Sequence, residues 1–192
     1  MRKLLLSLVA CATLGMSLNA SASDHTVTLG YAQSKADDVW LKGINAKYRY
    51  EWDSPVSFIT SITYMGKNID GRINYPGGNR PYEKWHNRDR NFSLSAGPAY
   101  RFNDFLSLYG LAGINVNKFR GNSTTYPFSG DRKQKHQRDL SSNTPMYGAG
   151  IQINPINSVT IDFGYEGSTL KFGDNHKRTP INGFNAGVGY RF

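Results

Sequence analysis

Two long polar stretches carry the residues best suited to bind a ligand. Residues 67–88 contain five basic and two acidic side chains, and residues 118–143 contain six basic and two acidic ones. Arginine mixed with aromatic side chains on exposed loops favours binding of other molecules. The candidate ligand-binding or lipopolysaccharide-binding residues are Arg72, Arg80, Tyr82, Lys84, Trp85, Arg88, Arg120, Arg132, Lys133, Lys135 and Arg138.

Histidine and cysteine residues do not form a recognisable catalytic or metal site. The four histidines are scattered, none is spaced from another for a shared metal ion, and nothing supports a serine–histidine–acid triad. Cys11 is the single cysteine, so no disulfide pair is available. The sequence therefore predicts no cofactor, no metal and no enzymatic activity.

The segments between the polar stretches alternate apolar and polar residues with a period of two, which is typical of half-buried strands. Each is about 9–11 residues or slightly longer, enough to cross a bilayer at a tilt. The fifth is the least regular, because Tyr109 and Leu111 fall opposite its better apolar face, and Pro98 in the fourth indicates a bulge. The eight predicted strands are 25–34, 39–52, 56–66, 89–102, 105–117, 144–153, 158–172 and 181–192.

Three Tyr-Arg-aromatic triplets, at 48–50, 100–102 and 190–192, end the second, fourth and eighth predicted strands. Their aromatic residues point to one face and the arginine to the other. The predicted connections alternate between short turns and longer loops, so all three triplets lie at the same end. This arrangement predicts an all-β, eight-stranded antiparallel transmembrane β-barrel with short periplasmic turns, long external loops and a periplasmic aromatic ring.

The charged residues within the strands fall on the face opposite the aromatic one. An eight-stranded barrel is just wide enough inside for side chains, which excludes an aqueous channel, and isolated buried charges are costly. We therefore expect a packed polar network rather than a catalytic carboxylate pair. The predicted interior residues are Lys47, Arg49, Glu51, Arg101, Asp162, Glu166 and Arg191.

The first 22 residues have the features of a secretory signal peptide: Arg2 and Lys3, a short apolar core, and small residues at 20–22. We expect residues 1–22 to be cleaved and residues 23–192 to form the barrel domain. The net charge of +9 becomes +7 without Arg2 and Lys3, and all of this surplus falls in the predicted loops. Export from the cytoplasm argues against nucleic acid as the partner of a basic chain.

Several motifs resemble the Ail/OmpX/PagC/Rck/Lom family of enterobacterial outer-membrane proteins. They are Gly-Tyr-Ala-Gln-Ser at 30–34, Lys-Tyr-Arg-Tyr-Glu at 47–51, Ala-Gly-Pro-Ala-Tyr-Arg at 96–101, Tyr-Gly-Ala-Gly at 147–150 and Ala-Gly-Val-Gly-Tyr-Arg-Phe at 186–192. The resemblance implies an outer-membrane location, a monomeric barrel without enzymatic activity, and an assembly signal at Tyr190 and Phe192 that the barrel-assembly machinery reads. It also implies that some members bind host matrix, promote adhesion and invasion, or confer complement resistance.

Three hypotheses follow for function. The first is adhesion, invasion or serum resistance through the basic, aromatic loops, with host extracellular-matrix, heparin-like or complement-regulatory molecules as partners. The second is a structural outer-membrane protein whose loops bind lipopolysaccharide and support envelope integrity. The third, of another class, is a small-barrel enzyme that modifies lipid A. The fold alone does not choose among them.

Overall fold

The computed structural model describes residues 25–36, 39–74, 82–126, 134–171 and 178–192. Each strand pairs antiparallel with its neighbours in sequence, and the first pairs with the last, which closes the barrel. This confirms the predicted fold class. Residues 1–22, the predicted signal peptide, lie outside the described ranges. The strands are β1 His25–Ala36, β2 Val39–Glu51, β3 Val56–Asn74, β4 Tyr82–Arg101, β5 Leu106–Tyr126, β6 Gln134–Ile156, β7 Val159–Lys171 and β8 Arg178–Arg191.

The period of two separates an apolar outer wall from a polar interior. On β1, Leu29 is 53% exposed and Tyr31 50%, whereas Thr26 and Thr28 are buried. Among the described residues no helix is long and apolar enough to cross a membrane. At the end with the short turns, exposed aromatic side chains touch along the strand, with ring centroids 4.9 Å apart for Tyr100 and Phe102. The outer wall therefore presents lipid with apolar side chains and an aromatic rim.

Small apolar clusters interrupt the polar interior. One joins Ile59, Ala99, Tyr109 and Leu111. Tyr109 and Leu111, which fall opposite the better apolar face of β5 in the sequence, therefore point into the barrel. A second cluster, nearer the other end, consists of Ala32, Leu41 and Met65, with Val39 packed against it.

The structure corrects the bounds of the two longest predicted loops. Most of residues 67–88 and 118–143 are strand, because β3 and β4 pair as far as Asn74 with Tyr82, and β5 and β6 as far as Thr125 with Gln134. Above the membrane both faces of a strand meet water, so hydrophobic alternation fades while backbone pairing continues. The period that marks a lipid-facing strand therefore ends before the strand does.

The bulge predicted at Pro98 is absent. Pro98 pairs with Phe58 in an unbroken register, and β4 and β5 keep the same offset on either side of it. The side chain is exposed on the outer wall. The register instead shifts between Ile153 and Ile156, where β6 pairs with β7 just before their turn.

Candidate functional site

Four strands continue past the apolar band as a projecting sheet, made of residues 67–74, 82–90, 118–126 and 134–143. Eight to ten residues of strand extend roughly 26–33 Å. Alternate side chains occupy opposite faces, and Phe92 and Leu94 lie on the lipid-facing wall. The even-numbered residues of β4 above them therefore form an outer face that continues the lipid-facing wall.

The outer face of the projecting sheet pairs like charges across its strands. Arg72 lies opposite Lys84, Arg88 opposite Arg120, and Arg90 opposite Lys118. Like charges directly opposite each other in a sheet are destabilising, by roughly 0.2–1 kcal/mol per pair. Two acidic side chains offset part of this charge among the described residues of the face: Asp139, 3.9 Å from Arg120, and Asp70. The face remains predominantly basic.

A depression of about 550 Å³ lies on this face. Arg72 and Lys84 line it, together with the hydrogen-bonding side chains of Asn122 and Thr124. Within it the Nδ1 atom of His86 contacts the Asp70 carboxylate. Cationic groups beside neutral hydrogen-bonding groups suit an oxygen-rich anion, such as a sulfated sugar.

The inner face of the projecting sheet is more apolar. The indole of Trp85 covers Gly71, where a Cβ atom would meet the ring. Ile69 and Phe119 occupy the same face by register. Lower on it, burial raises the pKa of the Asp89 carboxyl above its ordinary value, and Lys67 and Arg90 oppose part of that rise.

The sequence-predicted binding residues therefore divide between the two faces. Arg72, Lys84, Arg88 and Arg120 lie on the outer face, and Trp85 and Arg138 on the inner one. Tyr82 and Lys135 occupy strand positions opposite Tyr126 and Thr124. Arg80, Arg132 and Lys133 lie outside the described residues.

All seven predicted interior residues line the inside of the barrel. Lys47 forms an ion pair with Asp162 and donates to Asn185 Oδ1 over 2.6 Å. Tyr109 donates its hydroxyl to Asp162 over 3.1 Å. Glu166 accepts from Thr63 Oγ1 over 2.8 Å and from Asn185 Nδ2 over 3.2 Å. Asp162 and Glu166 thus accept separate sets of hydrogen bonds.

Glu51 holds three arginines at the end with the short turns. Its carboxylate contacts Arg49 at 3.0 Å, Arg191 at 2.7 Å and also Arg101. Arg49 continues the network upward by donating to Gln152 over 3.1 Å, and Gln152 donates to Asp162 over the same distance. The interior charges are thereby linked into one hydrogen-bonded chain through the lower half of the barrel.

The sequence does not single out several residues of the outer face. Arg90 lies near the end of a predicted strand and Lys118 in a predicted loop, and no sequence spacing indicates the contact between Asp70 and His86. The signal present was parity: on β4, basic residues recur at even positions 84, 88 and 90, in step with Phe92 and Leu94. No group of three or more metal-ligating side chains occurs among the residues with described placement.

Comparisons with known proteins agree along the whole chain. The family model for the Enterobacterial Ail/Lom protein matches residues 1–192. The virulence membrane protein PagC of Salmonella typhimurium is 39% identical over 198 residues, covering 100% of both chains. Outer membrane protein X of Escherichia coli is 39% identical over 190 residues, 97% of this chain and 95% of its own. The crystal structure of Ail of Yersinia pestis with the heparin analogue sucrose octasulfate is 30% identical, with a TM-score of 0.58 over 88% of this chain and 97% of that one.

Proposed function

The chain belongs to the enterobacterial Ail/Lom family and is an outer-membrane β-barrel, and from this premise we propose that it binds sulfated polyanions of host cells through the outer face of its projecting sheet. Adhesion is the expected consequence, and invasion and serum resistance are the cell-level properties to test with it. The proposal gives the chain a binding role and no enzymatic one, so lipid A modification is not part of it.

The carrying observation is the set of three like-charge pairs across the strands: Arg72 with Lys84, Arg88 with Arg120, and Arg90 with Lys118. A surface selected for stability alone would place opposite charges across from each other on neighbouring strands. Local rules of this kind are broken mainly at functional sites. A polyanion lying along the sheet would turn the repulsion into binding energy.

A relative supports the same ligand class, because Ail of Yersinia pestis was crystallised with a heparin analogue, sucrose octasulfate. In this chain, the depression lined by Arg72, Lys84, Asn122 and Thr124 offers cationic and neutral hydrogen-bonding groups together. Sulfate groups would meet the cations, and sugar hydroxyl groups the neutral side chains.

The test is a double substitution, Arg88→Gln with Arg120→Gln. Elution from immobilised heparin should shift to lower salt, because two charges of the outer face are removed and the remaining attraction is more easily screened. Stability should stay the same or rise by about 0.2–1 kcal/mol, because a repulsive pair is relieved. Lys35→Gln with Lys42→Gln removes the same charge from another part of the barrel and serves as the control.

Heparin elution equal to that of the unchanged protein would refute the polyanion site. The cell-level test places the unchanged protein and the Arg88/Arg120 variant in a non-adherent, serum-sensitive bacterium at equal surface amounts. Attachment to host cells should appear with the unchanged protein and fall in the variant. Survival in serum, measured on the same strains, shows whether complement resistance uses the same face.

A second candidate function is contact with lipopolysaccharide, and one row of residues favours it. Lys42, Gly66, Arg90 and Lys118 are successive partners across β2 to β5, and the next lipid-facing row below is Ile44, Tyr64, Phe92 and Val116. Basic side chains directly above an apolar row lie at the level of lipid phosphate groups. Lys42→Gln should then increase permeability of the envelope to apolar antibiotics while heparin elution stays unchanged.

A further inference from the structure

A groove of about 720 Å³ crosses the lipid-facing wall over β6, β7, β8 and β1. Its floor is low because the outward side chains there are Ala149 and Ala186, beside the main chain of Gly150 and Gly164. Larger side chains border it, namely Tyr31, Trp40, Ile151, Phe163, Tyr165 and Phe184. Its volume lies within the range of about 300–1,000 Å³ that is usual for small-molecule sites.

The groove changes from apolar to polar along its length. At its lower end Tyr31 pairs with Ala186, Ala186 with Phe163, and Phe163 with Ile151, so this level is wholly apolar or aromatic. Moving up β1, Gln33 and then Lys35 follow on the same face. This upper end points toward the projecting sheet, and therefore toward the outer leaflet.

The polar groups at the upper end are already positioned. Tyr31 donates its hydroxyl to Gln33 Oε1 over 2.9 Å, and Tyr165 donates to Asn182 Oδ1 over 2.9 Å. These contacts leave the amide NH₂ groups of Gln33 and Asn182 as donors beside the groove. Lys35 places its ammonium group 5.8 Å from the ring centre of Trp40. One cation and two amide groups thus lie above the apolar lower end of the groove.

We propose that this groove binds one acyl chain of a phosphorylated, acylated glycolipid of the lipid A type, with a phosphate group on Lys35. An acyl chain matches the apolar lower end, where alanine leaves room. An anionic head matches the ammonium group at the upper end, and sugar hydroxyl and amide oxygens match the two amide donors. The inference rests on the second candidate function, contact with lipopolysaccharide, and assigns it a defined site.

The first experiment fills the groove. Ala186→Leu adds three carbon atoms on the lipid-facing side, where the barrel tolerates apolar residues, so folding should be preserved. Ala112→Leu makes the same change at an exposed alanine of β5 outside the groove. Protein extracted in mild detergent from an outer membrane is measured by native mass spectrometry for retained lipid A. Retention should fall roughly tenfold in Ala186→Leu, because the added carbon atoms occupy the space of the acyl chain, and should not change in Ala112→Leu.

The second experiment tests the head group. Lys35 is an exposed lysine of β1 and lines the upper end of the groove. Lys35→Gln should abolish the preference for phosphorylated over dephosphorylated lipid A. Arg138→Gln, which removes one exposed positive charge from the inner face of the projecting sheet, away from the groove and the basic row, should keep it. Equal retention of lipid A in Ala186→Leu and Ala112→Leu would refute acyl-chain binding in the groove. Retention of phospholipid in place of lipid A would overturn the assigned ligand.

The failure of this inference can be told from failure of the proposed functions. Heparin elution depends on the projecting sheet and should be normal in Ala186→Leu. If Lys42→Gln raises envelope permeability while Ala186→Leu retains lipid A fully, the basic row contacts lipopolysaccharide and the groove does not hold its acyl chain.

Discussion

At the scale of single residues, Glu51 is the acidic side chain that neutralises three arginines at the periplasmic end of the barrel interior. Its carboxylate is buried and contacts three guanidinium groups, from Arg49, Arg101 and Arg191. Removing one partner of a buried ion-pair network lowers folding stability by more than the intact network contributes, because the remaining charges stay desolvated and unpaired.

Glu51→Gln should therefore lower the free energy of unfolding by about 3–5 kcal/mol. The measurement is urea unfolding in lipid vesicles, followed by the change in electrophoretic mobility between folded and unfolded barrel. Asp53→Asn, in the exposed turn two residues later, is the control and should change stability by less than about 0.5 kcal/mol. An equally small effect at Glu51 would show that the arginines are satisfied by water.

Gly164 is a residue whose identity depends on the interior packing. A Cβ atom there would lie 2.6 Å from the hydroxyl oxygen of Tyr109 and 2.6 Å from Asn185 Oδ1. Both neighbours are fixed by the network, since Tyr109 donates to Asp162 and Asn185 accepts from Lys47. Glycine is required here by close approach.

Gly164→Ala should destabilise the barrel by about 1–3 kcal/mol, the usual cost of overpacking. In the background of Tyr109→Phe the cost should be smaller by at least roughly 0.5 kcal/mol, because one of the two clashing atoms is gone. A double-mutant cycle of unfolding free energies measures the difference. Strict additivity would mean that Tyr109 moves aside without cost.

At the scale of elements, the projecting sheet shows that the strands continue beyond the part of the barrel that crosses the membrane. The apolar alternation of β4 begins near Phe92, yet β4 starts at Tyr82. Its upper part is held by backbone pairing on both sides, with β3 and β5. The basic residues of the site are therefore displayed at regular spacing on strands, and not on irregular loops.

Amide hydrogen exchange in a lipid bilayer distinguishes paired strands from irregular loops in the projecting sheet. Because residues 84–90 are paired with both neighbouring strands, their amides should exchange more slowly, by at least about tenfold, than those of the exposed turn 103–105. Equal rates in the two segments would place residues 84–90 in a loop and would separate the like-charge pairs.

At the scale of the whole molecule, barrel closure ends at the last residue. The Phe192 backbone N–H donates to the His25 carbonyl over 2.8 Å, and the His25 N–H donates back over 3.0 Å. The Phe192 ring stacks on His25 and on Tyr190, with ring centres 5.7 Å and 6.2 Å apart. This residue thus joins the two ends of the described barrel, on the periplasmic side.

Deleting Phe192 should lower the yield of folded barrel in the outer membrane several-fold, because the closing pair and the proposed assembly signal are lost together. The heparin elution of the barrels that do assemble should be unchanged, since the projecting sheet is at the opposite end. Phe105→Ala removes an exposed aromatic side chain from a turn on the same side and is the matched control. A normal yield after the deletion would contradict the assembly role.

Much of this architecture can be predicted from the sequence, because each crossing strand has lipid on one side and a packed polar interior on the other. That contrast imposes the period of two, which predicts the eight crossings and the inward set from Lys47 to Arg191. Motifs such as Ala-Gly-Val-Gly-Tyr-Arg-Phe at 186–192 indicate the family from the sequence alone.

The tertiary structure alone decided which charges meet and how far the strands extend. Lys47 and Asp162 are 115 residues apart, and only the registers around the closed barrel bring them into contact. Above the membrane water reaches both faces of the sheet, so hydrophobic alternation is weak there, and residues 67–74 and 82–88 lack the sustained period of a lipid-facing strand. The opposed pair of Arg88 and Arg120, from which the proposed binding face was inferred, exists only through that pairing.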